Sequence, residues 1–193
     1  MLTSDIKGCR ELRELERILH EHRGVLNHIH VIAAWGCLAK IGANRGGDVR
    51  DAAAVLQDLT REVLGFVGGR GIAHAMHSMA KLSGLGVRVD VGLLEAMQRR
   101  ATVTAEEFTP LAVSSLLCTL TSMKARADRG LLEAMQRRAT AAVAEFEPQE
   151  VSNVLWALAT MGERVDRGLL KVMQRRATAV VAEFEPQGVS NVL

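Results

Sequence analysis

The segment GLLEAMQRRAT, one identical copy and one close copy of it occur at a fixed spacing, and this repetition constrains the fold more than any other feature of the chain. One copy begins at Gly92, and near-identical copies begin at Gly130 and Gly168. The two intervals are equal, so the copies follow a 38-residue period. A fixed period of this length is typical of repeat proteins, in which each unit packs only against its neighbours. The sequence thus favours an extended binding scaffold over a compact enzyme fold.

The copies that begin at Asp128 and Asp166 differ at only four of 28 aligned positions. The last copy stops at VSNVL, where the preceding copy continues with WALATMG. We therefore expect the chain to be a fragment of a longer array, truncated at its C-terminus. Residues 1–89 are interpreted as diverged N-terminal helical repeats. Residues 90–193 are interpreted as three repeats, which span 90–127, 128–165 and, incompletely, 166–193.

Each repeat carries the pattern of two helices. Asp90, Asp128 and Asp166 are expected N-caps, because a carboxylate accepts a hydrogen bond from a free backbone N–H group. The apolar residues that follow recur at spacings of three and four, which predicts one buried stripe ending at a phenylalanine. The prolines that open the second helix suit its first turn, and Gly162 suits its end. These prolines are Pro110, Pro148 and Pro186. The predicted fold is an all-α solenoid of two-helix repeats with a 38-residue period, similar to an armadillo or HEAT superhelix.

The N-terminal part shows a weaker version of the same pattern. Residues 48–66 are predicted to form a first helix, with Phe66 in the place of Phe108. A second helix is expected to begin at Ile29 and to end at Gly42. The GGRG segment at 68–71 is expected to break the chain before the next helix.

Composition restricts the function classes. The formal net charge is only +2, so the chain as a whole does not strongly attract nucleic acid. Its longest apolar runs are shorter than a transmembrane helix needs, and we expect no membrane contact. The N-terminus is too charged for a signal peptide, and no targeting peptide is visible. Three widely spaced cysteines argue against a disulfide framework and favour a reducing compartment.

The motif PQxVSNxL at 148–155 and 186–193, with WALATMG at 156–162, resembles the octotricopeptide-type helical repeats of algal and protist organelle proteins. It is also similar to the repeats of mitochondrial RNA-editing substrate-binding complex subunits and, more distantly, to FAST-kinase-type and RAP-domain proteins. The resemblance covers 90–193 well and 12–83 loosely. It implies a role in mitochondrial or plastid RNA processing, editing, stability or translation.

Two rows of arginines are candidates for contact with RNA phosphates, which dominate nucleic-acid affinity. On a helical wheel the first arginine of each pair points away from the apolar stripe, and the second lies about 90° to its side. The second row is the preferred candidate: Arg100, Arg138 and Arg176. The first row is secondary: Arg99, Arg137 and Arg175. The alternative is a solvated face, in which Glu95 pairs with Arg99 and Glu133 pairs with Arg137 at the i, i+4 spacing.

The second helix offers side chains suited to reading a base. Asn153 and Trp156 lie on one side of the helix, and Asn191 is the equivalent amide in the last repeat. Indole faces stack on bases and amides recognise their edges. Gln149 and Gln187 are secondary candidates on the same side. The favoured alternative is that Trp156 is buried against the next repeat and that Asn153 forms a hydrogen bond there.

Enzymatic and metal-binding functions have little support in the sequence. His28, His30, His74 and His77 lack accompanying ligands at metal-binding spacing. No nucleophile, base and orienting group can be assembled, so we expect neither catalysis nor a cofactor. The leading hypothesis is a scaffold that binds single-stranded RNA together with other proteins of a ribonucleoprotein complex. The alternative is an armadillo-type protein-interaction scaffold without direct RNA contact.

Overall fold

The computed structural model describes residues 1–45, 48–162 and 166–180 of the chain. All regular elements in these ranges are helical, which confirms the predicted all-α class. The α-helices are α1 (Leu2–Gly8), α2 (Leu12–Glu21), α3 (His28–Arg45), α4 (Arg50–Val63), α5 (Gly69–Ser83), α6 (Val91–Val103), α7 (Pro110–Ser122), α8 (Arg129–Ala141), α9 (Pro148–Met161) and α10 (Arg167–Ala179). Short 3₁₀ turns precede α3, α5, α7 and α9, at Arg23–Val25, Leu64–Phe66, Ala105–Glu107 and Val143–Glu145.

Contacts divide the chain into two compact units, Met1–Arg100 and Ala101–Leu193. In the first unit α3 packs against α1, α2, α4 and α5. In the second unit α7 packs against α8 and α9, and α10 packs against α8 and α9. Equivalent helices of successive repeats are thus neighbours, as the α3–α5, α7–α9 and α8–α10 pairs show. This arrangement is consistent with an α-solenoid.

Local capping sets the helix boundaries largely as the sequence predicts. The carboxylate of Asp90 accepts from the backbone N–H of Leu93 at 2.7 Å, and Asp128 and Asp166 cap α8 and α10 in the same way. Pro110 and Pro148 open α7 and α9. Gly162 ends α9 in the left-handed region, at φ +68°, which glycine adopts without steric cost. Pro186 lies outside the described residues.

The predicted apolar stripe of the first helix is buried, but its last residue is not helical. The buried residues are Leu94, Met97, Ala101, Ala105 and Phe108. The helix ends at Val103, and a 3₁₀ turn separates it from Phe108, whose backbone is extended at φ −76° and ψ 125°. Phe146 adopts the same conformation at φ −72° and ψ 126°. The phenylalanine therefore closes the connection between the two helices rather than the first helix itself.

The predicted equivalence of Phe66 with Phe108 is wrong. Phe66 is 74% exposed, whereas Val67 is buried and has the extended backbone of Phe108. The interval from Val67 to Phe108 is three positions longer than the interval from Phe108 to Phe146, so the unit before the first exact copy is longer than the later copies. Phe66 lies one position before the true equivalent of Phe108, so the aromatic pattern of the sequence indicated the wrong residue.

Two glycine predictions also need correction. Helix α3 continues through Gly42 to Arg45. Gly42 gives space to α5, since a Cβ there would lie 3.3 Å from Leu82 Cδ2 of that helix. The GGRG segment does not break the chain, since α5 begins at Gly69. Gly71 lies within its first turn, where a Cβ would lie 2.9 Å from Val67 Cγ1. These glycines allow close packing rather than chain reversal.

The largest buried side chain joins α3 to α4. Trp35 is 1% exposed, and its Nε1 donates to Thr60 Oγ1 at 2.8 Å. The hydrogen bond satisfies the indole N–H, as a buried tryptophan requires.

Among the helices of the described ranges, none has both the length and the apolar character needed to cross a bilayer.

Candidate functional site

The second arginine row, the preferred RNA candidate of the sequence, bonds to the preceding repeat. Arg138 Nε donates to the carbonyl oxygen of Phe108 at 2.7 Å, and Arg176 Nε donates to that of Phe146 at 2.8 Å. Arg100 Nε makes the equivalent bond to Val67 at 2.9 Å. All three arginines are half-buried. One edge of each guanidinium group therefore has an intramolecular role, and phosphate binding by this row stays a prediction.

The bond is possible because of the backbone at the acceptor. The extended residue between the two helices of a repeat does not continue a helix, so its carbonyl group is available to a donor from outside. In the next repeat, the third turn of the first helix places the arginine beside this carbonyl group. A charged donor on a partly buried carbonyl forms a strong hydrogen bond.

Two glutamines, Gln57 and Gln136, are site residues that the sequence analysis missed. Gln136 Oε1 accepts from the backbone N–H of Asp166 at 2.7 Å. Gln57 makes the same bond to Asp90 at 2.7 Å, and its Nε2 donates to the Arg88 carbonyl at 3.3 Å. The glutamine thus fixes the residue that caps the next first helix. For Gln136 the available signal was its repeated place before an arginine pair, whereas Gln57 is followed by Asp58 and has no such signal.

The first arginine row is exposed. Arg99, Arg137 and Arg175 all lie on the solvent side of their helices, as the helical wheel predicts. The expected pair between Glu133 and Arg137 is wrong, because Glu133 instead accepts from Arg129 Nε at 2.9 Å. The Glu95–Arg99 pair is likewise not formed. Within the described ranges, no ion pair engages these three arginines.

Arg137 also borders an open groove between α8 and the start of α10. The groove has a volume of about 480 Å³. It is lined by Glu133, Gln136, Arg137, Thr140, Ala141 and Asp166. One cation, two carboxylates and two neutral polar side chains therefore border the same solvent-filled space.

The candidate base-reading residues of α9 form a partly exposed line. Gln149 Nε2 donates to Asn153 Oδ1 at 2.9 Å, which orients the Asn153 amide. Trp156 is 37% exposed, and the second helix of the next repeat, against which it is expected to pack, lies outside the described residues, so its burial there stays a prediction. Leu155, the residue before Trp156, is half-exposed. Gln187 and Asn191, the equivalents in the last repeat, lie outside the described residues.

The side of α9 that carries Trp156 corresponds to a contact surface in other repeats. Cys118, the equivalent of Trp156 in the preceding repeat, places its Sγ 3.6 Å from the carbonyl oxygen of Asn153. Gly36 occupies the same place in α3, where a Cβ would lie 2.6 Å from His74 Nε2. Small residues at this position therefore allow the next second helix to approach closely. Trp156 is much larger than either and is partly exposed.

The histidines and cysteines are distributed over several helices and connections of the described structure. Among the described residues, no three potential ligands cluster closely enough to hold a metal ion. Partial burial lowers the pKa of His74, and nearby cations such as Lys40 lower it further. Burial raises the pKa of the Cys37 and Cys118 thiols to about 11. These thiols are therefore protonated and weakly nucleophilic at neutral pH.

The fold and this surface define an all-helical protein in which arginine and glutamine side chains bond residues of neighbouring repeats. The family model of the RNA-editing substrate-binding complex 6 protein, RESC6, matches residues 51–193. The chain belongs to this family. No curated protein matched the sequence.

Proposed function

We propose that the chain is an α-solenoid scaffold that binds single-stranded RNA within a mitochondrial RNA-editing complex. Its repeats would form an armadillo- or HEAT-like superhelix with the 38-residue period of the sequence, comparable to octotricopeptide arrays. Membership of the RESC6 family supports the RNA-editing setting and favours a mitochondrion over a plastid. Other subunits of the complex are the expected protein partners, and catalysis and cofactors are not part of the proposal.

The observation that carries the proposal is the exposed first arginine row. Arg99, Arg137 and Arg175 repeat at equivalent positions and are not engaged by carboxylates of the described residues. Guanidinium groups in this state bind phosphates without first losing an ion pair. The second row holds the repeats together through its Nε atoms, and we assign it a supporting role in RNA binding. The preference between the two rows is thus the reverse of the one favoured by the sequence.

Trp156 and Asn153 supply the base contacts in this proposal. An indole that is partly exposed offers one face for stacking, which is tolerant of base identity. The Asn153 amide, oriented by Gln149, retains donors for a base edge. The repeat before it has Cys118 and Ser115 at these positions, so we expect one strong stacking site rather than one in every repeat.

The test is a binding titration with three arginines changed to glutamine: Arg99, Arg137 and Arg175. Fluorescence anisotropy of a labelled single-stranded RNA is measured at several salt concentrations. The slope of log K against log salt is about −0.7 per phosphate contact in single strands, so the variant should lose about two units of slope. The matched control changes Arg10, Arg13 and Arg17, which are exposed and lie before the residues matched by the family model.

The control carries the same change of net charge, so it accounts for the general effect of charge on affinity. A loss of slope in the first variant alone supports phosphate contact by this row. Equal slopes for both variants would rule that contact out. If the unchanged chain shows no affinity for RNA at low salt, the protein-interaction scaffold is the better account.

A further inference from the structure

Helices α3 and α5 contain no acidic residue. Helix α3 (His28–Arg45) has 18 residues and α5 (Gly69–Ser83) has 15 residues. The chain has 22 acidic and 24 basic residues among 193, so about four of each are expected in these two helices together. The basic residues are present at that level, as Lys40, Arg45, Arg70 and Lys81. Burial depletes charges of both signs, so it does not explain the loss of acids alone.

Side chains of one sign converge on one surface of the first unit. The cations that lower the pKa of His74 are, in order, Lys40, Lys7, Lys81 and Arg70. They come from three helices, because α3 packs against both α1 and α5. His77 lies one turn along α5 from His74. We call this surface the basic face, and its residues are Lys7, Lys40, Arg70, His74, His77 and Lys81.

The packing of His74 makes the basic face continuous. A Cβ at Gly36 would lie 2.6 Å from His74 Nε2, so the imidazole rests directly on the backbone of α3. A larger residue at Gly36 would separate the α3 and α5 surfaces. The glycine thus brings the cations of α3 and α5 onto one surface.

The cations of the basic face are exposed and are not neutralised. Lys7, Lys40, Arg70 and Lys81 are all exposed. None of them takes part in an ion pair within the part of the chain that the structure describes. The acids of the unit lie mainly on the first helices α2 and α4, where several of them pair with arginines. The net charge of the chain is small because acids on other surfaces balance these cations, and the basic face itself is positively charged.

The surface chemistry favours nucleic acid over protein as the ligand. A protein interface normally has large apolar or aromatic side chains at its centre. Among the described residues of α3 and α5, Ile29 is the large apolar side chain that is exposed, and it lies near the opposite end of α3 from Lys40. Cations with histidine hydrogen-bond donors between them suit a chain of phosphates.

We propose that the basic face is a second RNA-binding site, which contacts the phosphodiester backbone of single-stranded RNA. It uses residues other than those of the first arginine row, and it rests on the RNA-binding function proposed above. The face binds without base specificity, because its donors are cations suited to phosphates rather than groups placed to read base edges. It therefore extends the length of RNA that one chain can hold.

The first test changes Lys7, Lys40, Arg70 and Lys81 together to glutamine. The salt dependence of single-stranded RNA binding is compared with that of the unchanged chain. Four lost phosphate contacts should reduce the slope of log K against log salt by about three units. The matched control changes four exposed arginines outside the face: Arg10, Arg13, Arg17 and Arg88. All the substituted side chains are exposed, and circular dichroism verifies that both variants fold.

The second test maps the contact by lysine acylation with and without RNA. The chain has five lysines, and Lys7, Lys40 and Lys81 lie on the basic face. RNA should slow acylation of these three and leave the exposed Lys124 unaffected as an internal reference.

The outcomes separate this inference from the proposed function. A lower slope in the four-residue variant, together with protection of the three lysines, supports the second site. If the unchanged chain binds RNA but the variant equals its control, the basic face is not a site and the first arginine row still stands. If the unchanged chain does not bind RNA, both proposals are overturned.

Discussion

Arg138 Nε donates a 2.7 Å hydrogen bond to the carbonyl oxygen of Phe108, which lies 30 residues earlier in the preceding repeat. The bond recurs between Arg176 and Phe146 at 2.8 Å. A hydrogen bond that recurs between neighbouring repeats adds to the interaction energy between neighbours that stabilises a repeat array. The same arginines looked like ligands for RNA in the sequence, so stability and binding measurements are both needed to assign their role.

Replacement of Arg138 by glutamine should lower the free energy of unfolding by about 1–2 kcal/mol, because the Phe108 carbonyl loses a charged donor at a half-buried position. Urea denaturation measures the change. Arg137→Gln, one residue earlier and exposed, is the control and should change stability by less than about 0.5 kcal/mol. Equal effects of the two substitutions would show that the hydrogen bond contributes little.

Trp156→Ala should cost less than the roughly 3–5 kcal/mol that removal of a buried tryptophan costs, because Trp156 is 37% exposed. It should also weaken RNA binding by about 1–3 kcal/mol if a base stacks on the indole. The change in stability is measured by urea denaturation and the change in affinity by anisotropy.

Fluorescence provides an independent reading of the same contact. The chain has two tryptophans, and Trp35 is buried against Thr60. In a Trp35→Phe background the remaining signal comes from Trp156, and RNA should quench it. An emission spectrum unchanged by saturating RNA would exclude stacking on Trp156.

Stability should fall as pH decreases from about 7.5 to about 5.5, in part because of His74 and His77. Partial burial is the main cause that lowers both pKa values below 6.5, and cations add to it: Lys40, Lys7, Lys81 and Arg70 for His74, and Lys81 for His77. A histidine with a lowered pKa in the folded state binds its proton more readily when unfolded. Its contribution is therefore present above 6.5 and is lost as pH falls.

The double variant His74→Gln, His77→Gln isolates this contribution, because the other titrating groups are unchanged. Its melting temperature should fall less than that of the unchanged chain over the same pH interval. Parallel curves for the two proteins would mean that the histidines have the same pKa folded and unfolded.

The thiols should react slowly with iodoacetamide in the folded protein. Burial raises the pKa of Cys37 and Cys118 to about 11, and burial also raises that of Cys9. At about pH 8 very little thiolate is present in such groups. Labelling followed by mass spectrometry should show three slow sites that become fast in urea. A rapidly labelled thiol in the native protein would contradict the described burial.

The sequence predicted those features of the fold that depend on neighbouring residues. The caps at Asp128 and Asp166 and the proline at the start of α9 follow from chemistry within one helical turn. The equivalence of Val67 with Phe108 does not follow from local chemistry, because it depends on burial and on a unit that is longer than the later copies. An exposed aromatic side chain carries no local sign of its exposure.

The candidate site was predicted less well than the fold. A helical wheel placed Arg99 and Arg100 on their correct sides, but it contains no information about the Val67 carbonyl that engages Arg100. The acid-free pair of helices was visible in the sequence, yet its meaning depends on the packing of α1 and α5 against α3. Both features require knowledge of contacts between residues that are distant in the chain.

The salt dependence of single-stranded RNA binding by the unchanged chain tests the central claim most directly. The account predicts measurable affinity at low salt and a linear fall of log K with log salt, because lysines and arginines displace counterions from the phosphates. Absence of binding at low salt, or an affinity that does not change with salt, would contradict it.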